Sequence, residues 1–253
     1  MTKVGAPEHL IVNGKRLDGR LPEQMRDVEI KVGVIPAADG SCSLKLGQTH
    51  VLAAVYGPRE VIPKHLAIQD KAYLECVYDM AAFSTTDRAR PGPSRRSIEI
   101  SKIMRDALAP AIFLDKYPRT KIDVYVEVTN ASAGTRTAAI NAAAVALADA
   151  GIEMRDLVAA IACGKADGKL ILDLNEAEDN YGEADMPIAI MPRTKRITLL
   201  QMDGQLTKEE INKMLEMAFQ ACSNIYEKQI AALKEKYKVE EFAERQFEGG
   251  QNE

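Results

Sequence analysis

Three stretches of this chain carry residue types suited to phosphate chemistry. Ser132-Ala133-Gly134-Thr135-Arg136-Thr137 lies between an alternating apolar run and an alanine-rich segment, the place of a strand-to-helix turn. The first N–H groups of a helix lack intrahelical partners, and the helix dipole favours an anion beside them. Gly134 lets a ligand approach the backbone, Thr135 and Thr137 offer hydroxyls, and Arg136 can clasp phosphate through two parallel hydrogen bonds. The Gly-Lys-[Ser/Thr] ending of a P-loop is absent. The second stretch, Glu178-Asp179-Asn180-Tyr181-Gly182-Glu183-Ala184-Asp185, gathers four carboxylates in eight residues. Paired carboxylates beside a phosphate site could protonate a leaving oxygen or hold Mg2+. In the third, Arg88, Arg90, Arg95, Arg96, Lys102 and Arg105 face a single acid, Glu99. Arg95 and Arg96 stand where a Pro-rich loop enters a helix, which suits phosphate gripping. Taken singly, each stretch also has a plain structural reading: a Gly-Thr helix start, a solvated acidic loop, a solvated basic helix face.

The elements that would position these residues follow from periodicity. Val28 to Val34 alternates apolar and polar residues, and short turns join it to strands over Ser41–Leu46 and Thr49–Tyr56. Gly57-Pro58-Arg59-Glu60 opens a loop through Pro63-Lys64-His65, and Ala72–Tyr78 returns as a strand. Ser94 is the N-cap of a helix whose buried stripe includes Ile98, Ile103 and Leu108. Ile122 to Val128 alternates strictly. The helix over about Thr135–Ala148 is so rich in alanine that it can lie close on a sheet, and Gly151 ends it. Strands then follow at Val158–Gly164, Leu170–Leu174, Pro187–Met191 and Ile197–Gln201. The acidic stretch is read as a loop between two of them. Thr207-Lys208-Glu209-Glu210 is a capping box opening a long helix, charge-rich and frayed from about Lys228, with Gly249–Glu253 disordered. The order of elements gives an α+β protein of two related βαβα-type halves, residues 1–151 and 152–253.

Composition narrows the setting. Apolar residues make up 46% of the chain, enough for a folded core, but only 5% are aromatic and there is no Trp, so small and aliphatic side chains must fill it. No apolar stretch approaches the ~20 residues of a membrane span, and the N-terminus lacks the apolar run of a secretory leader. Cys42, Cys76, Cys163 and Cys222 are widely spaced and read as reduced thiols of a cytoplasmic protein. The formal charge of −4 argues against global attraction to nucleic acid, although a local basic field suffices for a binding cleft.

Taken in order, the motifs resemble the RNase PH family. Arg16-Leu17-Asp18-Gly19-Arg20 followed by Gly40-Ser41 and Gly47-Gln48-Thr49 is similar to its N-terminal signature. Arg95-Arg96-Ser97-Ile98-Glu99-Ile100 is similar to its first long helix, Gly134-Thr135-Arg136-Thr137-Ala138-Ala139 to its phosphate turn, and Glu178-Asp179 with Asp185-Met186 to its acidic pair. The wording Asp179–Pro187 and the loop Tyr56–His65 resemble the active branch found in archaeal exosomes. One position departs: Pro187 stands where polynucleotide phosphorylases carry a metal-supporting lysine.

The resemblance implies an RNase PH-like (ribosomal protein S5 domain 2-like) fold and a phosphate-dependent 3′→5′ exoribonuclease, whose chemistry run backwards adds nucleotides. Inorganic phosphate is the co-substrate, held by Gly134, Thr135, Arg136 and Thr137. Arg95 and Arg96 position single-stranded RNA. Asp179 protonates the departing 3′ oxygen, its pKa raised by Asp185 and Glu183, and Asp179 and Asp185 together hold Mg2+. Implied partners are an inactive RNase PH-like paralogue in a hetero-hexameric ring and RNA-binding cap subunits, with Arg59, Lys64 and His65 at the pore. Two rivals remain at this point, a non-catalytic scaffold and a metal-dependent hydrolase; release of diphosphates rather than monophosphates separates them.

Overall fold

A ribbon of β1 (Ile11–Val12) and β2 (Lys15–Arg16) leads into two five-stranded sheets. The computed structural model describes residues 7, 9–90 and 92–238. The first sheet uses β3 (Val28–Val32), β4 (Gly40–Leu46), β5 (Thr49–Glu60), β6 (Tyr73–Met80) and, after α1 (Arg95–Leu108), β7 (Thr120–Asn130). Its order is β3-β4-β5-β7-β6, antiparallel except that β6 runs parallel to β7, the two being joined through α1. After α2 (Thr135–Asp149) comes the second sheet, of β8 (Ala159–Ala166), β9 (Lys169–Leu172), β10 (Ala184–Met191), β11 (Arg196–Leu200) and β12 (Asp203–Gly204), with α3 (Glu176–Tyr181) between β9 and β10 and α4 (Lys208–Lys236) after β12. There β10 is central: it pairs antiparallel with β8, β11 and β12.

The helices lie between the sheets. α1 touches β6 and β11, α2 touches β4, β5, β8 and β10, and α4 touches β3 and β8. A helix covered on both sides cannot be amphipathic in the usual way. Accordingly 13 of the 15 residues of α2 are buried, six of them alanine. The approach is close enough that a Cβ on Gly40 would fall 2.2 Å from Ala150 N. Asn141 fastens the other side, its Nδ2 donating to Ala160 O at 2.8 Å and its Oδ1 accepting from Ala160 N at 2.7 Å. One apolar cluster therefore runs through both sheets.

Several expectations are corrected. Ile98 is 62% exposed, and the buried stripe of α1 is Ile100, Met104, Ala107 and Leu108. Strand β5 continues through Gly57–Glu60, because Arg59 and Glu60 still pair with Lys121 and Thr120. The acidic stretch is not a loop but contains helix α3. Helix α4 does not fray at Lys228. Gln229 is fully buried, and Lys236 Nζ and Tyr237 Oη reach Asp149 at 2.5 and 2.8 Å, which anchors the last turn. The first six residues and Gly249–Glu253, read as leaderless and disordered respectively, fall outside the described residues. The four cysteines are free and buried. Among the described residues no helix is long and apolar enough to cross a membrane.

The polar entry segment is largely exposed, but one of its charges is not. Arg16 is buried, and its guanidinium pairs with both oxygens of Glu178 on α3, a side chain equally out of water. It further donates to Leu172 O and Asp173 O, each at 2.7 Å. Removing one partner strands a charge in a low-dielectric interior, at a cost of about 3–5 kcal/mol. Arg16→Met and Glu178→Leu should therefore each lower the urea midpoint strongly, and the double variant should regain much of the loss. Equal and additive losses would show that the pair carries no coupling.

Candidate active site

The Ser132–Thr137 turn is shaped by its backbone. β7 ends at Asn130, Ala133 and Gly134 both take positive φ (57° and 66°), and α2 starts at Thr135. Gly134 is the N-cap of α2, in the left-handed region that glycine adopts at least cost. The turn is clamped from outside. Thr49 Oγ1 donates to Ala133 O at 2.8 Å, and Arg26 Nη1 donates to Ser132 O at 2.5 Å. Arg26 in turn is bound through Nε and Nη2 to the buried Asp173, at 2.8 and 2.7 Å. Beneath the turn, Tyr78 Oη donates to Thr135 Oγ1 at 3.0 Å, and burial holds the Tyr78 phenol above its ordinary pKa.

The acidic wall comes from α3 and β10. Asn175 caps α3, accepting from Glu178 N at 3.0 Å, while Glu178 accepts from Asn175 N at 2.9 Å. With Arg16 on the same carboxylate, Glu178 is consumed as a structural group. Glu183 lies on the surface, accepting from Gly168 N at 2.7 Å and 3.5 Å from Lys165 Nζ. Of the four clustered carboxylates, only Asp179 and Asp185 reach the cavity. That cavity, about 100 Å³, is lined by Arg96, Gly134, Thr135, Arg136, Thr137, Asp179, Asp185 and Pro187, with Ala162 and Leu174 as its apolar part. It is small beside the 300–1,000 Å³ typical of pockets that enclose a whole organic ligand.

Charge is divided across this space. Arg136 Nη1 donates to Gln201 Oε1 at 2.6 Å, and Nη2 lies 3.8 Å from Glu99. Its Nε is buried with no hydrogen-bond partner among the described residues, as is Oδ1 of Asp185. Burial, reinforced by the charge of Asp179, raises the pKa of Asp185 to about 6, against the opposing pull of Arg136. Among the described residues no three His, Cys, Asp or Glu side chains converge as a metal centre.

The other RNA-contact candidates are not in the cavity. Arg95 is exposed at the first position of α1 and does not line it, whereas its neighbour Arg96 does. Arg59, Lys64 and His65 sit at the far end of β5 from Thr49, about 35 Å along a strand of this length. There Arg59 lies 4.9 Å over the Tyr56 ring and Lys64 pairs with Glu60 at 3.1 Å. Residues that sequence reasoning missed are Arg26, Tyr78, Gln201 and the buried role of Glu178. Only the last had a local signal, the Asn175-x-x-Glu178 capping pattern.

The chain belongs to the 3′ exoribonuclease, or RNase PH, family: residues 24–153 match its domain 1 and residues 156–221 its domain 2. It is a phosphorolytic 3′→5′ exoribonuclease with the RNase PH-like α+β fold expected from its motifs. It is 55% identical over 237 residues to the exosome complex component Rrp41 of Thermococcus gammatolerans, covering 92% of this chain and 95% of that one. With Rrp41 of Pyrococcus furiosus it shares 57% over 225 residues, covering 89% and 90%. Among solved structures, rice Rrp46 superposes with a TM-score of 0.78 at 28% identity, covering 87% of this chain and all of that one. The Archaeoglobus fulgidus exosome with RNA bound to the active site gives a TM-score of 0.74 at 22% identity, over 85% and 93%, a likeness of fold.

The raised pKa has a consequence for stability. Unfolded, Asp185 ionises near pH 4; folded, it resists ionisation until about pH 6. The fold therefore loses stability as pH rises through that window, and the loss persists above it. Asp185→Asn should stabilise the protein by on the order of 1–3 kcal/mol near neutral pH and hardly at all near pH 4. Urea titrations at the two pH values measure this; an equal effect at both would remove the titration from the account.

Proposed function

We propose that this cavity is where inorganic phosphate attacks the last internucleotide phosphorus of RNA, with Gly134, Thr135, Arg136 and Thr137 holding the nucleophile. The observation that carries the reading is the pair of unpartnered buried atoms, Arg136 Nε and Asp185 Oδ1, on two residues that line one small space. A phosphate oxygen satisfies the first, and a proton on its way to a leaving oxygen belongs on the second. Holding two anions together demands preorganised donors, which the start of α2 and Arg136 supply. Arg96 and the exposed Arg95 take the RNA backbone, contacts that carry no base information.

The sequence alone assigned the proton to Asp179. Burial moves the proposal to Asp185, with Asp179 acting on it as a neighbouring negative charge. Bringing phosphates into the cavity adds further like charge and raises the pKa again, so Asp185 enters the reaction protonated at neutral pH. The new P–O bond forms to inorganic phosphate as the P–O3′ bond breaks. Asp185 gives its proton to O3′, and the nucleoside diphosphate departs. With Asp185 protonated, Asp179 is the one ionised carboxylate here, too little to cage an ion but suited to a largely hydrated Mg2+. Asp179, with Asp185 beside it, would hold that ion, which when bound supplies positive charge against the phosphates.

The same reading makes the chain a ring subunit, since its relatives are named as exosome components. The halves 1–151 and 152–253 act as one unit within a cytoplasmic hetero-hexamer that alternates with an inactive RNase PH-like paralogue and carries RNA-binding caps. Arg59, Lys64 and His65, a full strand length from the cavity, guide single-stranded RNA at the entry.

In the assembled ring, Asp185→Asn should cut diphosphate release by about 10²–10⁴-fold while RNA binds at least as tightly. Arg136→Ala should raise the phosphate concentration for half-maximal rate and change RNA affinity less. If Asp179→Asn is the dead variant and Asp185→Asn stays active, the proton returns to Asp179. Near-normal rates in both would dismiss the acidic wall.

The ring reading has its own check. The isolated chain should degrade RNA poorly, and adding the inactive paralogue should restore activity. Full processive activity from the purified chain alone would contradict it.

A further inference from the structure

Phe83 is a large apolar side chain left outside the core, 77% exposed. A single exposed hydrophobe usually needs no explanation, but this one is held in place. Ala81 N donates to Val128 O at 2.9 Å, Ser84 N donates to Ala81 O at 2.8 Å, and Ala131 N donates to Ser84 O at 2.9 Å. Ser84 itself is buried. These bonds fasten the Phe83 turn to the end of β7, and Ala131 stands three residues before Gly134, at most about 11 Å of chain. The backbone that carries the ring is thus anchored close to the turn assigned to the attacking phosphate. Its surroundings in the chain are basic: between Phe83 and Arg96 stand Arg88, Arg90, Arg95 and Arg96 against one acid, Asp87.

An exposed aromatic ring on an anchored turn, followed in the chain by a run of cations suited to a phosphate backbone, fits the way proteins hold single strands without reading sequence. We infer that Phe83 is a stacking platform for a nucleobase near the 3′ end of the RNA, a positioning residue that holds the terminal phosphodiester at the cavity. The inference rests on the proposed passage of RNA to this site. Every base has a π face, so such a platform suits an enzyme whose other contacts are to phosphate. The competing occupant is the neighbouring subunit of the ring. The run of arginines favours a polyanion over a protein surface of unspecified charge.

The chain contains no Trp, so Phe83→Trp adds a reporter that is read against the emission of the wild-type ring. In the assembled ring without phosphate, oligo(A) should quench the added emission, and an abasic oligomer of equal length should not. Phe83→Ala should raise KM for RNA roughly 5- to 100-fold with a much smaller fall in kcat at saturating RNA, and Phe83→Tyr should restore it. Emission that changes on mixing with the paralogue and is then blind to RNA would overturn the inference, as would loss of ring assembly in Phe83→Ala. An unchanged KM in a properly assembled Phe83→Ala ring would do the same. If the wild-type ring releases no diphosphates, the functional reading itself fails; if it does and the Phe83→Trp emission ignores RNA, only the platform fails.

Discussion

The buried pair of Arg16 and Glu178 is the constraint on which the site's geometry depends. Glu178 uses one carboxylate twice, closing the first turn of α3 and neutralising a guanidinium that has no access to water. Arg16 spends its remaining donors on the backbone at Leu172 and Asp173. Asp173 then receives Arg26, and Arg26 reaches Ser132 in the phosphate turn. One chain of charged contacts thereby joins the entry segment, the helix that carries Asp179 and the turn that carries Gly134. Such pairs add little net stability over apolar packing, but breaking them is costly, so they fix relative positions well.

Opposite charges lining one cavity underlie the chemistry proposed for it. Arg136 is aimed by a hydrogen bond to Gln201 and a loose ion pair with the half-exposed Glu99 at 3.8 Å, not by a tight pair with Asp179 or Asp185. A tight Arg–Asp pair across the cavity would satisfy both groups and leave neither for substrate. Asp185 instead sits at the start of β10, desolvated and beside Asp179, which makes its charged form expensive. The fold accepts this cost in the free enzyme, a trade of stability for activity familiar at reactive sites.

The middle layer of helices explains how the two acidic residues and the anion turn come to share a cavity. α2 belongs to the first half in sequence yet is covered by strands of both sheets. Its first turn therefore faces β10 and α3 from the second half. Alanine permits this spacing, and Asn141 locks it through paired hydrogen bonds to Ala160.

Much of this was legible locally. Strict alternation from Ile122 to Val128 marked β7, Gly151 marked the end of α2, and Ser94 and Thr207 marked helix starts whose capping boxes form. The turn at Gly134 and the approach of an alanine-rich helix followed from backbone sterics and side-chain size, which act over a few residues. The ordered motifs likewise identified the family. What sequence left undecided depends on partners far along the chain. Near Glu178 only the Asn175-x-x-Glu178 capping pattern hints that it differs from Asp179; the distinction is completed by Arg16, 162 residues away. The short helix α3 is held by that same contact, and α4 persists past Lys228 because Asp149 waits at its end. The raised pKa of Asp185 is set by burial and neighbouring charge, quantities that exist only once both halves have packed. Residue types and spacing determined the kind of chemistry, and the tertiary structure decided which carboxylates were left free to perform it.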